Sequence, residues 1–154
     1  LSLHDVLPIY IWADPEAARI VFESGLPITM VGWDISRLYA AFDKVESARF
    51  RSIGTRFAEF SVDIQGAVDA FAQSETHLVG YDLPDPIAMA VALDPSVATD
   101  VRYLPVTVDL HSPLGRGQTV VDHLKMTGKQ PNAHVVLTAD RTRFLDLMYG
   151  CMRD

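Results

Sequence analysis

The chain has 154 residues, of which 49% are hydrophobic, so it has the length of one domain and enough apolar residues for a buried core. Its net charge is −7 and its 13 Lys and Arg residues are scattered along the sequence, which argues against a nucleic acid polymer as partner. The single cysteine, Cys151, excludes a disulfide framework and fits a reduced cytoplasmic compartment, and no apolar run reaches the roughly 18 residues that a membrane span needs.

The first residues have the character of a non-native leader. The run "SLHDVLPI" (residues 2–9) resembles, with one difference, the translation of a common sequencing-library adapter. We therefore expect residues 1–10 to be a leader that takes no part in the fold, so that the natural chain begins inside an element already under way. The alternative is an ordinary N-terminal strand, "VLPIYIW".

A helix and a buried strand are predicted next. Asp14 precedes Pro15 and a helical stretch that stops at Gly25, which predicts an N-cap, a proline at the first helical position and a glycine stop. The segment Leu26–Trp33 is apolar at successive positions, which is typical of a strand buried on both faces in a mostly parallel sheet.

The pattern from Ser36 to about Gln73 is helical, and it predicts two or three helices with breaks near Ser52 and Val62. The apolar positions that recur at spacings of three and four include Leu38, Phe42, Val45, Ile53, Phe57, Phe60, Ile64, Ala67, Val68 and Phe71.

The stretch "YDLPDPIAMAVALDP" (residues 81–95) contains the carboxylate of greatest chemical interest. Pro86 is expected at the first helical position, and the short helix is apolar on nearly every face, so we expect it to be buried. Asp85 then occupies the N-cap position. The residues alone allow two interpretations: Asp85 only caps the helix, or it also faces a ligand in a crevice above a sheet.

The last third of the chain is rich in strand signals. The segments "RYLPVTVDL" and "QTVVDH", separated by "HSPLGRG", predict a β-hairpin, and "NAHVVLTAD" predicts a further strand. A terminal helix capped at Asp140 follows, with one apolar face formed by Phe144, Leu145, Leu147, Met148 and Cys151. These elements together indicate an α/β fold.

Four blocks of the sequence resemble, in order, the C-terminal half of the inosine-uridine preferring nucleoside hydrolase family: "WADPEAARIVFESGLPITMVGWDIS", "DPIAMAVALDPSVA", "RGQTVVD" and "PNAHVVLTADRTRFLDLM". The resemblance covers the chain from Ile11 onward. It implies that residues 11–154 are the C-terminal part of a single domain, with an open, mostly parallel, Rossmann-like sheet, flanking helices and a β-hairpin. It also implies hydrolysis of the N-glycosidic bond of ribonucleosides and a homo-oligomeric full-length protein.

By this resemblance, Asp85 matches a late calcium ligand of the family. A hard cation such as Ca²⁺ collects oxygen ligands, and in such a site it orients the ribose hydroxyls and lowers the pKa of the attacking water. One carboxylate cannot hold the ion alone, and the Asp-rich motif that carries the family's first ligands does not occur in this sequence. We therefore expect calcium in the full-length parent and no activity in this chain by itself.

The chain departs from the family at the position of the leaving-group acid. Pro84 stands where many members have a histidine, and a proline side chain carries no proton that it can donate. Tyr81 and Asp82 are candidates to replace that acid. Otherwise the base leaves with help from a residue outside this chain, or without an acid.

The second departure concerns the residues that bind ribose. The family motif Glu-Phe-Asn-x-Trp is reduced here to "PIYIW", which keeps Trp12 and places Tyr10 at the Asn position. An adapter joined to an Asn codon that has lost its first base would give a Tyr codon, so we interpret Tyr10 as a junction residue. Arg116 in "GRGQTVVD" is a further candidate substrate contact.

Three interpretations of function remain open. The first is a calcium-dependent hydrolase whose substrate is a small ribonucleoside, and the second is a non-catalytic relative that binds a nucleoside or sugar or acts as a scaffold. The third is an unrelated α/β domain in which Asp85 is only a cap. In the first two cases we expect the chain to expose strands such as "PITMVGW" and therefore to self-associate.

Overall fold

The structure is a computed structural model that describes residues 9–75 and 80–153. The chain divides into two compact units: unit 1 comprises the residues up to Asp34 together with Thr99–Thr138, and unit 2 comprises Ile35–Ala98 and Ala139–Asp154. The described parts contain helices and strands in the mixed arrangement expected of an α/β fold, which confirms the predicted class. No helix among the described residues is long and apolar enough to cross a membrane.

Unit 1 is built on a small sheet. Its helices are α1 (Ile9–Ala13) and α2 (Pro15–Glu23), and its strands are β1 (Thr29–Met30), β4 (Ala98–Leu104), β5 (Val106–Val108), β6 (Thr119–Val121) and β7 (Ala133–Ala139). The strand order is β1-β7-β4, with β1 parallel to β7 and Thr29 opposite His134. Strands β5 and β6 pair antiparallel, so the predicted hairpin is confirmed, although its first strand begins only after Pro105.

Local capping signals explain where α2 begins and ends. The Asp14 carboxylate accepts a hydrogen bond of 2.9 Å from the amide of Ala17, Pro15 opens the helix, and Gly25 follows it with a φ of +77°. All three features confirm the prediction. The residues of α1 are helical, so the alternative of a strand there is wrong over residues 9–12, and the earlier part of the predicted leader lies outside the described residues.

An amide side chain beside the apolar core of unit 1 joins two of its elements. Phe22, Leu104, Val106, Val108, Ala133 and Val135 form its buried apolar cluster. Beside this cluster, Asn132 accepts a hydrogen bond of 2.7 Å from the amide of Val106 and donates to the carbonyl oxygens of Val106 and Phe22. Because a half-buried amide is costly unless it is paired, these bonds fix the end of α2 against β5.

The strand predicted over Leu26–Trp33 is much shorter in the structure. Only Thr29 and Met30 form β1, Leu26 is 64% exposed, and Trp33 already begins a helix. The prediction of a long strand buried on both faces is therefore wrong in extent. A short apolar run does not distinguish strand from helix by periodicity, which explains the error.

Unit 2 is mainly helical. It contains most of α3 (Trp33–Tyr39), followed by β2 (Ala41–Phe42), α4 (Lys44–Arg51), α5 (Arg56–Asp63), α6 (Gly66–Glu75), β3 (Tyr81–Asp82), α7 (Pro84–Leu93), a 3₁₀ turn (Pro95–Val97) and α8 (Arg141–Cys151). The predicted break at Ser52 is confirmed, and the next break falls at Ile64 and Gln65 instead of Val62. The terminal helix is capped at Asp140 as predicted.

Aromatic packing and hydrogen bonds hold the helices of unit 2. Phe42 and Phe50 are buried edge to face, with their ring centroids 5.6 Å apart. The Tyr149 hydroxyl donates to Glu46 at 2.5 Å and joins α8 to α4; burial and this acceptor raise the pKa of Tyr149 to about 12. Thr55 donates to the carbonyl oxygen of Met152 at 2.7 Å and joins the start of α5 to the end of α8.

Many apolar positions in the helices of unit 2 are not buried. Most of the periodic residues from Leu38 to Phe71 are exposed; they are Leu38, Val45, Phe57, Phe60, Ile64, Ala67, Val68 and Phe71. Helix α7 buries Ile87, Ala90 and Val91 but exposes Met89 and Leu93, so the expectation of a helix buried all round is wrong. The periodicity identified the helical faces of α4, α5 and α6, but it was wrong at Phe42, which lies in β2. It also cannot tell whether a helical face meets the core or solvent.

The strand pair β2–β3 requires a glycine at position 80. Gly80 has a φ of +78°, and a Cβ atom there would overlap the carbonyl oxygen of Phe42. We expect Gly80→Ala to lower the free energy of unfolding by about 2 kcal/mol or more, since a left-handed conformation alone costs an L-residue about 1–2 kcal/mol. Urea unfolding followed by circular dichroism measures the loss.

The matched control for this change is Gly54→Ala. Gly54 has a φ of +77°, but nothing lies within 4 Å of an added Cβ atom. Its loss should stay near 1 kcal/mol, the share due to backbone conformation. Equal losses for the two variants would show that the contact with Phe42 does not matter.

Candidate functional site

Asp85 lies in the first turn of α7 but does not cap it. The helix begins at Pro84, two residues earlier than predicted, and Leu83 is the N-cap residue. Asp85 is the second residue of the helix and is exposed to solvent. The prediction that Asp85 is the N-cap is therefore wrong, because Pro84 fits the first helical position as well as Pro86 does. A carboxylate in the first turn is still favoured by the helix dipole.

Backbone pairing fixes the start of α7. Strand β3 pairs antiparallel with β2, with Tyr81 opposite Phe42 and Asp82 opposite Ala41, and the amide of Leu83 donates to the carbonyl oxygen of Ala40 at 3.1 Å. The chain leaves this pairing directly into α7. The position of Asp85 is thus set by a strand pair and by the helix that follows it.

Tyr81, one candidate for the leaving-group acid, is part of the core of unit 2. Its side chain is buried, and its hydroxyl accepts a hydrogen bond of 3.2 Å from Ser47 on α4. Burial raises the pKa of Tyr81 above its ordinary value of 10.0. The hydroxyl therefore stays protonated at neutral pH, and its contact with Ser47 is a structural one.

Asp82, the other candidate, also has structural contacts. Its carboxylate accepts a hydrogen bond of 2.7 Å from the buried hydroxyl of Ser36 and lies 3.6 Å from the guanidinium of Arg37. Both contacts join β3 to α3. Tyr81 and Asp82 therefore both have contacts within the fold. Pro84 carries no titratable group and opens α7.

The candidate ribose contacts lie in unit 1. Tyr10 and Trp12 are on the short helix α1, and both side chains are exposed. The turn of the hairpin comes close to this helix, because a Cβ atom on Gly117 would lie 3.0 Å from the Cα atom of Trp12. Gly117 also has a φ of +85°, so the turn can approach α1 only with a glycine at this position.

Arg116 is held by the N-terminal turn of α2. Its guanidinium donates to both carboxylate oxygens of Glu16, at 2.7 and 2.8 Å, and to the carbonyl oxygen of Leu110 at 3.0 Å. The hydrogen bond from Arg116 holds the pKa of Glu16 below its ordinary value of 4.5. These contacts fix the hairpin turn against α2, and a contact of Arg116 with substrate stays a prediction.

Sequence reasoning missed the partners of these residues. It did not identify Glu16 as the partner of Arg116, or Ser36 and Arg37 as the partners of Asp82. The pairs are separated by 100 and about 45 residues, so no local pattern links them. The only sequence signal was the presence of an acid in the first turn of α2.

The described residues do not form a metal site by themselves. Within residues 9–75 and 80–153, no group of three or more His, Cys, Asp or Glu side chains is arranged to hold a metal ion. Asp85 offers one carboxylate, whereas Ca²⁺ takes six to eight oxygen ligands. The residues present therefore fit, at most, one position of a calcium site.

Comparison with known families identifies one match over most of the chain. The family model described as "Inosine-uridine preferring nucleoside hydrolase" matches residues 9–146. Pyrimidine-specific ribonucleoside hydrolase RihA from Salmonella typhimurium (strain LT2) is 36% identical over 139 residues, which cover 90% of this chain and 44% of that protein. RihA from Escherichia coli O8 (strain IAI1) matches with the same identity and coverage.

Solved structures give the same result at the level of the fold. The purine-preferring ribonucleoside hydrolase from Gardnerella vaginalis superposes with a TM-score of 0.77 at 31% identity, over 96% of this chain and 48% of that one. The plant nucleoside hydrolase PpNRh1 has a TM-score of 0.83 at 22% identity, over the same shares of the two chains, and supports the fold alone. The chain thus spans about half the length of the relatives that it matches.

The pairing of Arg116 with Glu16 can be tested by titration. We expect the Glu16 carboxyl to titrate below pH 4.5, and its midpoint to rise toward 4.5 in Arg116→Met, because the donor that favours the ionised form is lost. Since the pKa in the folded protein is depressed, the stabilisation is present above the ordinary value and is lost as the pH falls through the folded value. Carbon-13 NMR of the carboxyl groups measures the midpoint.

The control for this titration is Arg19→Met, which removes the arginine that pairs with Glu23 on the same helix. It should leave the midpoint of Glu16 unchanged. A midpoint of Glu16 that is the same in wild type and in Arg116→Met would contradict the assigned ion pair.

Proposed function

Because the chain belongs to the inosine-uridine preferring nucleoside hydrolase family, we propose that it is the C-terminal part of an enzyme that hydrolyses the N-glycosidic bond of ribonucleosides to ribose and a free base. The observation that carries the proposal is the family match over residues 9–146, which contains Asp85 and both candidate ribose contacts. The similarity of the fold to a solved ribonucleoside hydrolase at 31% identity supports it.

Asp85 is the residue of this chain with a proposed role at a metal. Its exposed carboxylate in the first turn of α7 is accessible to a cation, and the β2–β3 pair fixes its position. We assign it one oxygen ligand of a calcium site whose other ligands come from outside this chain. Calcium in such a site would orient the ribose hydroxyls and acidify a bound water.

The leaving-group acid is proposed to lie outside the segment Tyr81–Asp85. The hydroxyl of Tyr81 contacts Ser47 inside unit 2, and Asp82 is bonded to Ser36 and Arg37. Moving either group to a departing base would break contacts that hold β3. The base therefore leaves with a proton from a residue outside this chain, or leaves without an acid.

The substrate is proposed to be a small ribonucleoside, with no preference assigned for its base. The RihA relatives are named as pyrimidine-specific, whereas the Gardnerella vaginalis relative is named as purine-preferring, and this chain is similar to both. Trp12 is proposed to contact the ribose, and Tyr10 to stand where the natural protein has an Asn. We also propose a cytoplasmic, homo-oligomeric full-length protein that binds neither nucleic acid polymers nor membranes.

A second candidate function is binding without catalysis. Pro84 at the position of the acid, together with the structural contacts of Tyr81 and Asp82, favours a relative that holds a nucleoside or sugar but does not cleave it. Such a protein would bind uridine or inosine and release no ribose. The enzyme would bind the nucleoside and release ribose. Calorimetry and a reducing-sugar assay on the same full-length sample separate the two.

The isolated 154-residue chain is expected to release no ribose from uridine or inosine, because it offers one of the several ligands that calcium needs. A reducing-sugar assay with added calcium, repeated with a chelator, tests this expectation. Ribose release that the chelator abolishes would show that the chain alone contains a complete site.

For the full-length protein, Asp85→Ala is expected to weaken calcium binding by about 10-fold or more while changing the free energy of unfolding by less than about 1 kcal/mol. Isothermal titration with calcium measures the affinity. The matched control is Asp140→Ala, which removes the cap of α8 and should cost about 1 kcal/mol of stability without affecting calcium. Equal calcium affinity in wild type and Asp85→Ala would exclude Asp85 as a ligand.

A further inference from the structure

Helix α1, which carries both candidate ribose contacts, is too short to fix its own position. It has five residues, whereas isolated helices shorter than roughly 12–15 residues are marginal in water. Ile11 packs against the apolar core of unit 1, while Tyr10 and Trp12 are 70% and 63% exposed. The directions in which the side chains at positions 10 and 12 leave the surface are therefore set by the segments that pack on α1.

The hairpin turn, residues 109–118 between β5 and β6, packs on α1 at its junction with α2. A Cβ atom on Gly117 would lie 3.0 Å from the Cα atom of Trp12 and 3.6 Å from the carbonyl oxygen of Ile11. It would also lie 3.6 Å from the Cγ atom of Pro15, the first residue of α2. Because the backbones are this close, a shift of the turn along the junction has to shift Trp12 as well.

Internal hydrogen bonds close the hairpin turn on itself. The carboxylate of Asp109 accepts bonds of 2.9 Å from the amides of His111 and Ser112. These amides hold the pKa of Asp109 below its ordinary value of 3.8, so the carboxylate keeps both bonds at neutral pH. The carbonyl oxygen of Asp109 accepts a further bond of 2.7 Å from the amide of Gly117. The turn therefore holds Arg116 and Gly117 in a fixed relation to each other.

Arg116 attaches this turn to α2. Its guanidinium donates to both carboxylate oxygens of Glu16 and to the carbonyl oxygen of Leu110, and Glu16 directly follows Pro15 at the start of the helix. The side chains of the ion pair are 48% and 55% exposed, and exposed ion pairs add little to stability. An arginine that binds both oxygens of a carboxylate nevertheless fixes the relative orientation of the two groups. The pair therefore affects where the turn lies more than how stable the fold is.

We propose that Arg116 is a positioning residue of the nucleoside site. Through Glu16 it sets where the hairpin turn crosses the junction of α1 and α2, and through Gly117 the turn sets how α1 presents Trp12 and position 10 to the ribose. The inference rests on the proposed function, and it differs from the expectation that Arg116 contacts the substrate itself. For a direct contact with substrate, the bond from Arg116 to Glu16 would not matter.

A double-mutant cycle in the full-length protein separates these two roles. We expect Arg116→Met and Glu16→Gln each to raise KM for uridine about 10-fold and to change kcat less than about two-fold, because ribose is held alike in the ground state and the transition state. In the Glu16→Gln background, Arg116→Met should have less than about a two-fold further effect, since the acceptor through which it acts is already lost. The matched control is Arg19→Met, which breaks the exposed pair with Glu23 on the same helix and should leave KM unchanged.

Fluorine NMR follows Trp12 without any use of activity. In full-length protein labelled with 5-fluorotryptophan, the resonance that is absent from Trp12→Phe belongs to Trp12. We expect Arg116→Met and Gly117→Ala each to shift this resonance by more than its line width. The matched control for the glycine change is Gly128→Ala, which should leave the resonance in place, because Gly128 also has a positive φ of +69° but nothing lies within 4 Å of an added Cβ atom.

The proposal is overturned if Arg116→Met leaves either KM or the Trp12 resonance at its wild-type value. Additive effects on KM in the cycle, or a wild-type KM in Glu16→Gln beside a raised one in Arg116→Met, would also overturn it and favour a direct contact with substrate. A wild-type protein that releases no ribose would contradict the proposed function instead, and the Trp12 resonance would then decide the inference by itself.

Discussion

The pairing of two short strands, β2 and β3, sets the position of Asp85, the residue of unit 2 to which we assign a role at a metal. Gly80 allows the chain to pass against the carbonyl oxygen of Phe42, and only a glycine fits there. The pairing places Tyr81 in the core opposite Phe42 and leads the chain into α7, where Asp85 occupies the first turn. The backbone of β3 and α7 therefore sets the position of this carboxylate.

Within residues 81–85, some side chains contact the rest of the fold and one has a proposed chemical role. Tyr81 and Asp82 contact Ser47, Ser36 and Arg37, and these contacts hold β3 against α3 and α4. Pro84 opens a helix. Both polar groups next to Asp85 thus have contacts within the fold, and our proposal therefore takes only Asp85 from this segment and assigns the leaving-group acid elsewhere.

The sequence predicted features that depend on one or two adjacent residues. The caps at Asp14 and Asp140 could be predicted because their hydrogen bonds span three residues or fewer. The end of α2 could be predicted because it depends on the φ angle of Gly25 itself. The start of α7 was misplaced because two prolines compete for the same position, and tertiary contacts decide between them. The pair of Glu16 and Arg116 had no local signal at all.

The exposure of α5 marks another limit of sequence reasoning. The spacing of Phe57, Phe60 and Ile64 predicts an apolar face, and burial in the core is the usual fate of such a face. The structure exposes it beside a groove of the same apolar character. We predicted self-association from exposed strands such as the one over Leu26–Trp33, but β1 is only two residues long, and the exposed face of α5 is on a helix.

Ribose release from uridine and inosine by the full-length protein, compared between wild type and Asp85→Asn, tests the central claim most directly. Asn keeps the size and polarity of the side chain and removes its charge, so the fold should be unaffected while a hard cation loses an anionic ligand. The account predicts a fall in kcat/KM of about 100-fold or more that raised calcium partly restores. Wild-type activity in Asp85→Asn would contradict it.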